Sequence, residues 1–368
     1  MNINVKSPGR VNLIGEHTDY NGGYVLPCAL NLSIELNFNY STKASFVSTD
    51  LGYSMNFNVN KPCKKSKNHW ENYVLGVVNE LKKIKGDLSN FNCNISSTLP
   101  SGAGISSSSA LVCGLIKGLS RLNNIDLDNS DIITISRNVE HKYIGLLGGI
   151  MDQYTIINAQ KNMVILLNCD NMKSKFINLN LDNYKLLLLD TNVKHNLANT
   201  EYNNRVSECK KSLKIINNLT RKEYLNLSQV TYKDLIKSKN DLGEILFNRS
   251  SYIFEENQRT IQSAKLIESN KLKDFGRLMY QSHEGLRDKY NVSCLELDFL
   301  VYKTKKYSEI LGSRMMGGGF GGCTVSLIEE SFIDKFIDII KVQYFSKFGL
   351  ELNPMIASPD KGIHISII

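Results

Sequence analysis

The segment Leu99-Pro100-Ser101-Gly102-Ala103-Gly104-Ile105-Ser106-Ser107-Ser108-Ser109-Ala110 constrains the fold more than any other part of the chain. A strand-like run around 91–96 leads into it, and an apolar helical stretch, 110–122, leaves it. Glycines let backbone N–H groups come close to an anion, serines cap a helix start, and the positive end of the helix dipole faces such a loop. The outline is that of a phosphate cradle. It is not a Walker A loop, because no lysine closes the glycine run. Nor is it a dinucleotide fingerprint, because the third glycine and the downstream acid are missing. On this segment alone a plain Gly-Ser turn stays open as the alternative.

Three further segments concentrate chemistry. Pro8-Gly9-Arg10-Val11-Asn12-Leu13-Ile14-Gly15-Glu16-His17-Thr18-Asp19-Tyr20 sets Arg10, Glu16, His17 and Asp19 between glycines. Carboxylates accept from sugar hydroxyls and arginine donates, so this density suits a polyhydroxylated ligand, or else a surface loop with local ion pairs. A zinc-type site is not indicated, since no second His follows at helical spacing. Gly148-Gly149-Ile150-Met151-Asp152-Gln153-Tyr154 places Asp152 among apolar and glycine neighbours, as a partly buried base or a turn former. Upstream, Glu140 offers a hard oxygen ligand suited to Mg2+, or is an ordinary helix acid. In Arg314-Met315-Met316-Gly317-Gly318-Gly319-Phe320-Gly321-Gly322-Cys323, five glycines surround one Phe. Their entropic cost implies a close approach of chain or ligand, and the strand-like residues that follow argue against a linker. Two apparent motifs are coincidental: Asp274-Phe275-Gly276 lies in a helical pattern without the other protein-kinase motifs, and His283-Glu284 lacks a second His.

The 368 residues suit two domains, with a change of pattern near 180. Before it, Ile34, Leu36, Phe38 and Tyr40 alternate as a strand, and Asn21-Gly22-Gly23 marks a turn. Trp70, Tyr73, Val74, Val77, Val78, Leu81 and Ile84 show helical spacing, and a further helix is predicted over 132–146. Strands are predicted at 163–167 and 185–190, then mainly helix to about 310, a strand at 323–328, a helix at 332–348 and a strand at 363–368. Lys and Arg number 44 against 36 Asp and Glu, a net charge of +8 that is spread rather than blocked. The lysine cluster at 61–67 has no arginine or interleaved aromatic, so no nucleic-acid partner is expected. No apolar run nears the roughly 18 residues of a membrane span, and the start does not read as a signal or transit segment, so a cytoplasmic location is expected. The eight cysteines form no C-x-x-C pair and read as reduced packing residues.

In this order and at these separations, the four segments resemble those of the galactokinases, within the GHMP superfamily of small-molecule kinases. Residues 9–20 look like the galactokinase sugar signature, 99–110 like the superfamily phosphate loop, and 314–323 like its C-terminal motif. Trp70-x-Asn72-Tyr73, Glu140-His141, Glu201-Tyr202-Asn203 and Glu255-Glu256-Asn257 extend the likeness over nearly the whole chain. The resemblance implies an α+β fold of two lobes with the active site in the cleft between them. The N-terminal domain, 1–180, would be of a type shared with a small-subunit ribosomal protein, and the C-terminal domain, 181–368, would be ferredoxin-like. It implies ATP-dependent phosphorylation of the C1 hydroxyl of D-galactose with Mg2+, by a monomer whose partners are galactose and ATP. N-acetylgalactosamine, another sugar, or a non-catalytic galactose and ATP sensor are the neighbouring readings.

Residue by residue, the resemblance makes Asp152 the general base at the C1 hydroxyl and Arg10 its partner, which also neutralises charge on the transferred phosphoryl. Glu16, His17, Asp19, Gly149 and Tyr202 would grip the galactose hydroxyls. Gly102, Ala103, Gly104, Ile105, Ser106, Ser107 and Ser108 would wrap the ATP phosphates, with Trp70 and Tyr73 on the adenine side. Ser108 and Glu140 would hold Mg2+. Beside a guanidinium the ionised carboxylate is favoured, so Asp152 is expected to orient the hydroxyl more than to strip its proton. Two departures stand out. The lead before Arg10 is shorter than the family usually carries, which suggests a trimmed sheet edge. Met316 replaces the usual threonine, which removes a hydroxyl expected near the nucleotide phosphates.

Overall fold

The structure, a computed structural model, describes residues 2–50, 52–61, 64–100, 102–193 and 198–367. The alternating opening forms β1 (Asn2–Asn12), β2 (Tyr24–Val25), β3 (Pro27–Tyr40), β4 (Ala44–Ser48) and β5 (Tyr53–Phe57). Ile34, Leu36 and Phe38 are buried along β3, because successive side chains of a strand take opposite faces. Helix α1 (Glu71–Lys85) buries Val74, Val77, Val78 and Leu81, as its three-four spacing requires. Then come β6 (Phe91–Ser97), α2 (Ser107–Leu122) and α3 (Asn129–Val139), the last started by a capping box of Asp128 and Asp131.

The single helix expected over 132–146 is divided. Its α-helical part stops at Val139, and a π-helical turn, Glu140–Ile144, closes on Gly145. Single π turns recur at functional sites, because the extra residue re-aims side chains. Helix α4 (Met151–Asn158), β7 (Met163–Asn168) and β8 (Ser174–Asn178) follow, with β7 between β2 and β8 in a small antiparallel sheet.

From β9 (Tyr184–Asp190) the chain is mainly helical, as predicted: α5 (Ala198–Thr220), α6 (Tyr232–Lys237), α7 (Lys239–Glu268), α8 (Leu272–Gly285) and α9 (Leu295–Thr304). A hairpin of β10 (Ile310–Met315) and β11 (Cys323–Glu329) is joined by the third glycine segment. Helix α10 (Ile333–Phe348), β12 (Asn353–Ala357), β13 (Pro359–Asp360) and β14 (His364–Ile367) end the described chain. The second sheet has the order β10-β11-β9-β12. With helices between β9 and β10 and between β11 and β12, this is the ferredoxin-like arrangement. Its strand β9 is buried on both faces: Leu186 and Leu188 join the main core, while Leu187 and Leu189 pack with Phe336 and Ile340 of α10.

The first sheet has the order β14-β1-β3-β6-β4-β5, with β13 also on β3. The short lead before Arg10 does not leave β1 open. Strand β14 pairs along it from Ile3 with Ile367 to Lys6 with His364, so the final strands cross back from the second lobe. Helix α2 lies close on β3, because a side chain at Gly114 would fall 2.5 Å from Leu36 and one at Gly118 2.1 Å from Phe38. That contact fixes where the N-terminus of α2 presents its loop. Among the described residues no helix is long and apolar enough to cross a membrane. Seven cysteines are described and unbonded, five of them buried; Cys63 lies outside the described residues, as do Ser101 of the first loop and Pro62 of the lysine cluster.

Candidate active site

Arg10 and Asp152 are 142 positions apart in sequence and meet in a two-pronged ion pair. Arg10 Nε donates to Asp152 Oδ1 at 2.7 Å and Nη2 to Oδ2 at 2.9 Å. The third nitrogen, Nη1, donates to the Gly104 carbonyl at 2.7 Å. The register of β1 against β3 slips between Pro8 and Arg10, and the Arg10 N–H leaves the sheet ladder for the Ile105 carbonyl. One β-bulge thus ties the sugar-type motif to the glycine-serine loop. Asp152 stands in the first turn of α4, and Ser106 donates to its Oδ2. Ser106 itself sits at φ 61 as the residue before α2, with no side-chain cap bond. Its hydroxyl serves the aspartate instead.

Two cavities meet at this pair. The first, about 240 Å³, is bordered by Arg10, Glu16, His17, Asp19, Gly149, Asp152 and Tyr202, and also by Ser108 and Glu140. The second, about 550 Å³, is bordered by Gly102, Gly104, Ser106, Ser107, Ser108, Trp70 and Tyr73. Arg10, Ser108, Asp152, Gly317 and Gly318 border both. Ala103 and Ile105 border neither, since their side chains are wholly buried in the core. The two glycine segments touch across the junction. Gly104 and Gly317 both have positive φ, and a Cβ on Gly317 would lie 3.1 Å from the Gly104 carbonyl oxygen. This close approach is what the third glycine segment is for. The Met316 side chain is buried in the main core and borders neither cavity, while its carbonyl oxygen would lie 3.6 Å from a Cβ on Gly104 of the glycine-serine loop.

In the smaller cavity, acids are crowded. Burial pushes Glu140 up to about 7, with Asp152 adding to the shift, while a hydrogen bond from Ser109 at 2.7 Å opposes it. Asp19 is also pushed up to about 7, by enclosure and then by Asp152. Gly149 is required there, because a Cβ would fall 2.2 Å from Asp19 Oδ2. Glu16 accepts from the Gly317 N–H at 2.9 Å and lies 3.3 Å from Arg314, so it binds the third glycine segment to the sugar-type motif. His17 is pushed down to about 3 by burial and is a neutral imidazole. Its ring lies 5.3 Å from that of Tyr202, which α5 supplies.

In the larger cavity Trp70 is stacked on Tyr53 at 4.9 Å, and Phe46 borders it too. The sequence reading assigns no role to Phe46 and Tyr53, nor to Ser109 and Gln153 at the acids. The strand alternation around Phe46 and Tyr53 is legible, but which sheet face meets the cleft is not; Ser109 and Gln153 stand on α2 and α4. Among the described residues no group of three or more His, Cys, Asp or Glu forms a metal cage.

A cleft in which a glycine-serine loop and helix N-terminus border one cavity, and an Arg-Asp pair opens it to a second, defines a small-molecule kinase of the GHMP class. The model for the GHMP kinases N-terminal domain matches residues 72–160, that for the GHMP kinases C-terminal domain 263–344, and the galactokinase galactose-binding signature 2–36. A galactokinase of Thermosipho africanus is 38% identical over 348 residues, 95% of each chain. The crystal structure of Lactococcus lactis galactokinase complexed with galactose superimposes with a TM-score of 0.92 at 30% identity, covering 99% of this chain and 95% of that one. A mevalonate kinase at 21% identity and TM-score 0.67, covering 96% of this chain and 99% of that one, shares the fold. The chain belongs to the galactokinase family.

Proposed function

We propose that this chain transfers the γ-phosphoryl group of ATP to the C1 hydroxyl of D-galactose, giving galactose 1-phosphate and ADP. The observation that carries this reading is the Arg10–Asp152 pair at the junction of the two cavities. An acceptor hydroxyl in the smaller cavity and a phosphoryl in the larger one would meet there, and phosphoryl transfer needs chiefly positioning and charge stabilisation. Asp152 already accepts three hydrogen bonds, two from Arg10 and one from Ser106. Its remaining acceptor capacity orients the sugar hydroxyl as the general base. Arg10 neutralises charge building on the phosphoryl oxygens.

Glu16, His17, Asp19 and Tyr202 bind the galactose hydroxyls, and Gly149 leaves room for Asp19. The backbone from Gly102 to Ser108 cradles the ATP phosphates at the start of α2, with Trp70 and Tyr73 on the adenine side. Ala103 and Ile105 take part through their backbone. Mg2+ fits the donor set: burial, with Asp152 and Asp19 adding, pushes the Glu140 carboxyl up to about 7, a penalty that a bound cation would relieve, and Ser108 borders the same cavity. Those two residues would hold the ion, leaving its other positions to phosphate and water, and the ion would neutralise phosphate charge. The lobes are assigned to 1–180 and 181–368, with β13 and β14 crossing back. One chain lines both cavities, which fits a monomer, and the unbonded cysteines fit a reducing cytoplasm.

The test is a coupled ADP-release assay with galactose, N-acetylgalactosamine, glucose, arabinose and mevalonate, with and without Mg2+. Metal-dependent turnover with galactose is the expected result. Turnover confined to another sugar would move the substrate, and binding of galactose and ATP with no turnover would favour a sensor.

A further inference from the structure

His17 Nδ1 lies 2.8 Å from the Tyr20 hydroxyl, which lies 2.7 Å from the Tyr290 hydroxyl, which lies 3.1 Å from Cys209 Sγ. The chain runs from the smaller cavity into the second lobe. Tyr290 and Cys209 are shut off from solvent, and Arg205 fixes the backbone there by donating to the Tyr290 carbonyl at 3.0 Å. At the other end His17 Nε2 is buried at the cavity wall with no hydrogen-bond partner. A neutral imidazole has one proton, so the direction of the chain decides whether Nε2 offers a donor or an acceptor.

The two ends of the chain select the direction. A thiol sulfur is a weak acceptor and the bare nitrogen of a neutral imidazole a good one, so the run of hydroxyls ends on His17 Nδ1 and starts from the Cys209 S–H. Cys209 S–H then donates to Tyr290, Tyr290 to Tyr20, and Tyr20 to His17 Nδ1. We propose that Tyr290 and Cys209 are positioning residues of the sugar site: through Tyr20 they fix the His17 tautomer, so that Nε2–H is presented as a donor to an oxygen of the bound sugar. This rests on the sugar-kinase reading of the cavity.

The test combines a spectrum with kinetics. In [15N]histidine-labelled full-length protein, His17 is assigned by its absence in His17→Gln. A pyrrole-type Nε2 with a pyridine-type Nδ1 is expected, and the opposite pattern overturns the proposal. In Tyr290→Phe the Tyr20 hydroxyl loses its incoming donor and the tautomers mix. The galactose KM then rises about threefold to tenfold, with kcat and the ATP KM changed by less than about twofold. An unchanged galactose KM, or an equal loss in all three parameters, overturns the positioning role. Tyr302→Phe, on the exposed face of α9, is the control. Should Tyr290→Phe fail to fold, Cys209→Ser and Cys209→Ala replace it: the serine keeps a donor on Tyr290 and so keeps the galactose KM, which the alanine raises. A protein that turns over no galactose yet shows the pyrrole-type Nε2 would refute the proposed substrate and leave this inference standing.

Discussion

Asp152 is held by three donors, and that count sets what its substitution does. Asparagine has nearly the same shape but one acceptor oxygen and no charge, so it cannot answer both Arg10 nitrogens and Ser106. For Asp152→Asn we expect galactose binding, read by calorimetry, to be largely kept and kcat to fall about a hundredfold to ten-thousandfold. A near-normal rate would remove the base role. Glu140 makes the opposite trade. Its carboxyl is raised from 4.5 to about 7 in the fold, so between those values the folded state binds more protons than the unfolded one. Stability therefore falls as pH rises through that window and is level above it, an effect on the order of 3 kcal/mol for this group. Glu140→Gln removes the penalty. In chelator the variant should melt higher than the parent above neutral pH, with no difference in acid, and Mg2+ should no longer strengthen ATP binding. Identical pH profiles of melting temperature would refute this.

The glycines read at the level of elements explain what sequence could and could not tell. Asp274-Phe275-Gly276 was set aside because its spacing is helical, and α8 includes all three residues. Gly276 still has a task. A Cβ there would fall 2.1 Å from the Leu311 carbonyl oxygen, and one on Gly312 2.4 Å from Gly276 itself, so α8 and β10 touch backbone to backbone. Gly276→Ala should destabilise the protein by about 1–3 kcal/mol, seen as a lower melting temperature with KM values unchanged. An unaltered melting temperature would mean that the helix can shift freely. Helix α1 is legible because it buries a stripe with a fixed period, and strand β9 because a short unbroken run of leucines has the length of a strand buried on both faces. The π turn was not, since Glu140 to Ile144 carries ordinary helix formers and the turn is settled by what packs around it. For the same reason Ser109, inside the predicted phosphate loop but one residue past those given to the ATP phosphates, carries no expected role although it holds Glu140. Arg10, Asp19 and Asp152 are legible only together, through their order along the chain; neither of the two segments that hold them decides alone between a site and a surface loop.

At the scale of the molecule, the break near residue 180 divides the pattern of the sequence but not the packing. The main core contains Ile3, Val5 and Leu36 together with Leu186, Leu188, Val325 and Leu327, and so draws on both sheets. The final strands return to the first sheet, β14 on β1 and β13 on β3, and Glu16 reaches the third glycine segment through Gly317 and Arg314. Cooperativity follows shared core rather than chain order. The full chain should therefore unfold in one calorimetric transition whose van't Hoff and calorimetric enthalpies agree. A fragment ending at 180 lacks the β14 partner of β1 and the leucines of β9, and should show no cooperative transition. Two separable transitions in the full chain, or a fragment that melts cooperatively, would mean that the lobes are independent. The cleft would then hold its Arg10–Asp152 junction from one side only, through β1, α2 and α4, and the glycine segment after β10 would be free to move as a lid.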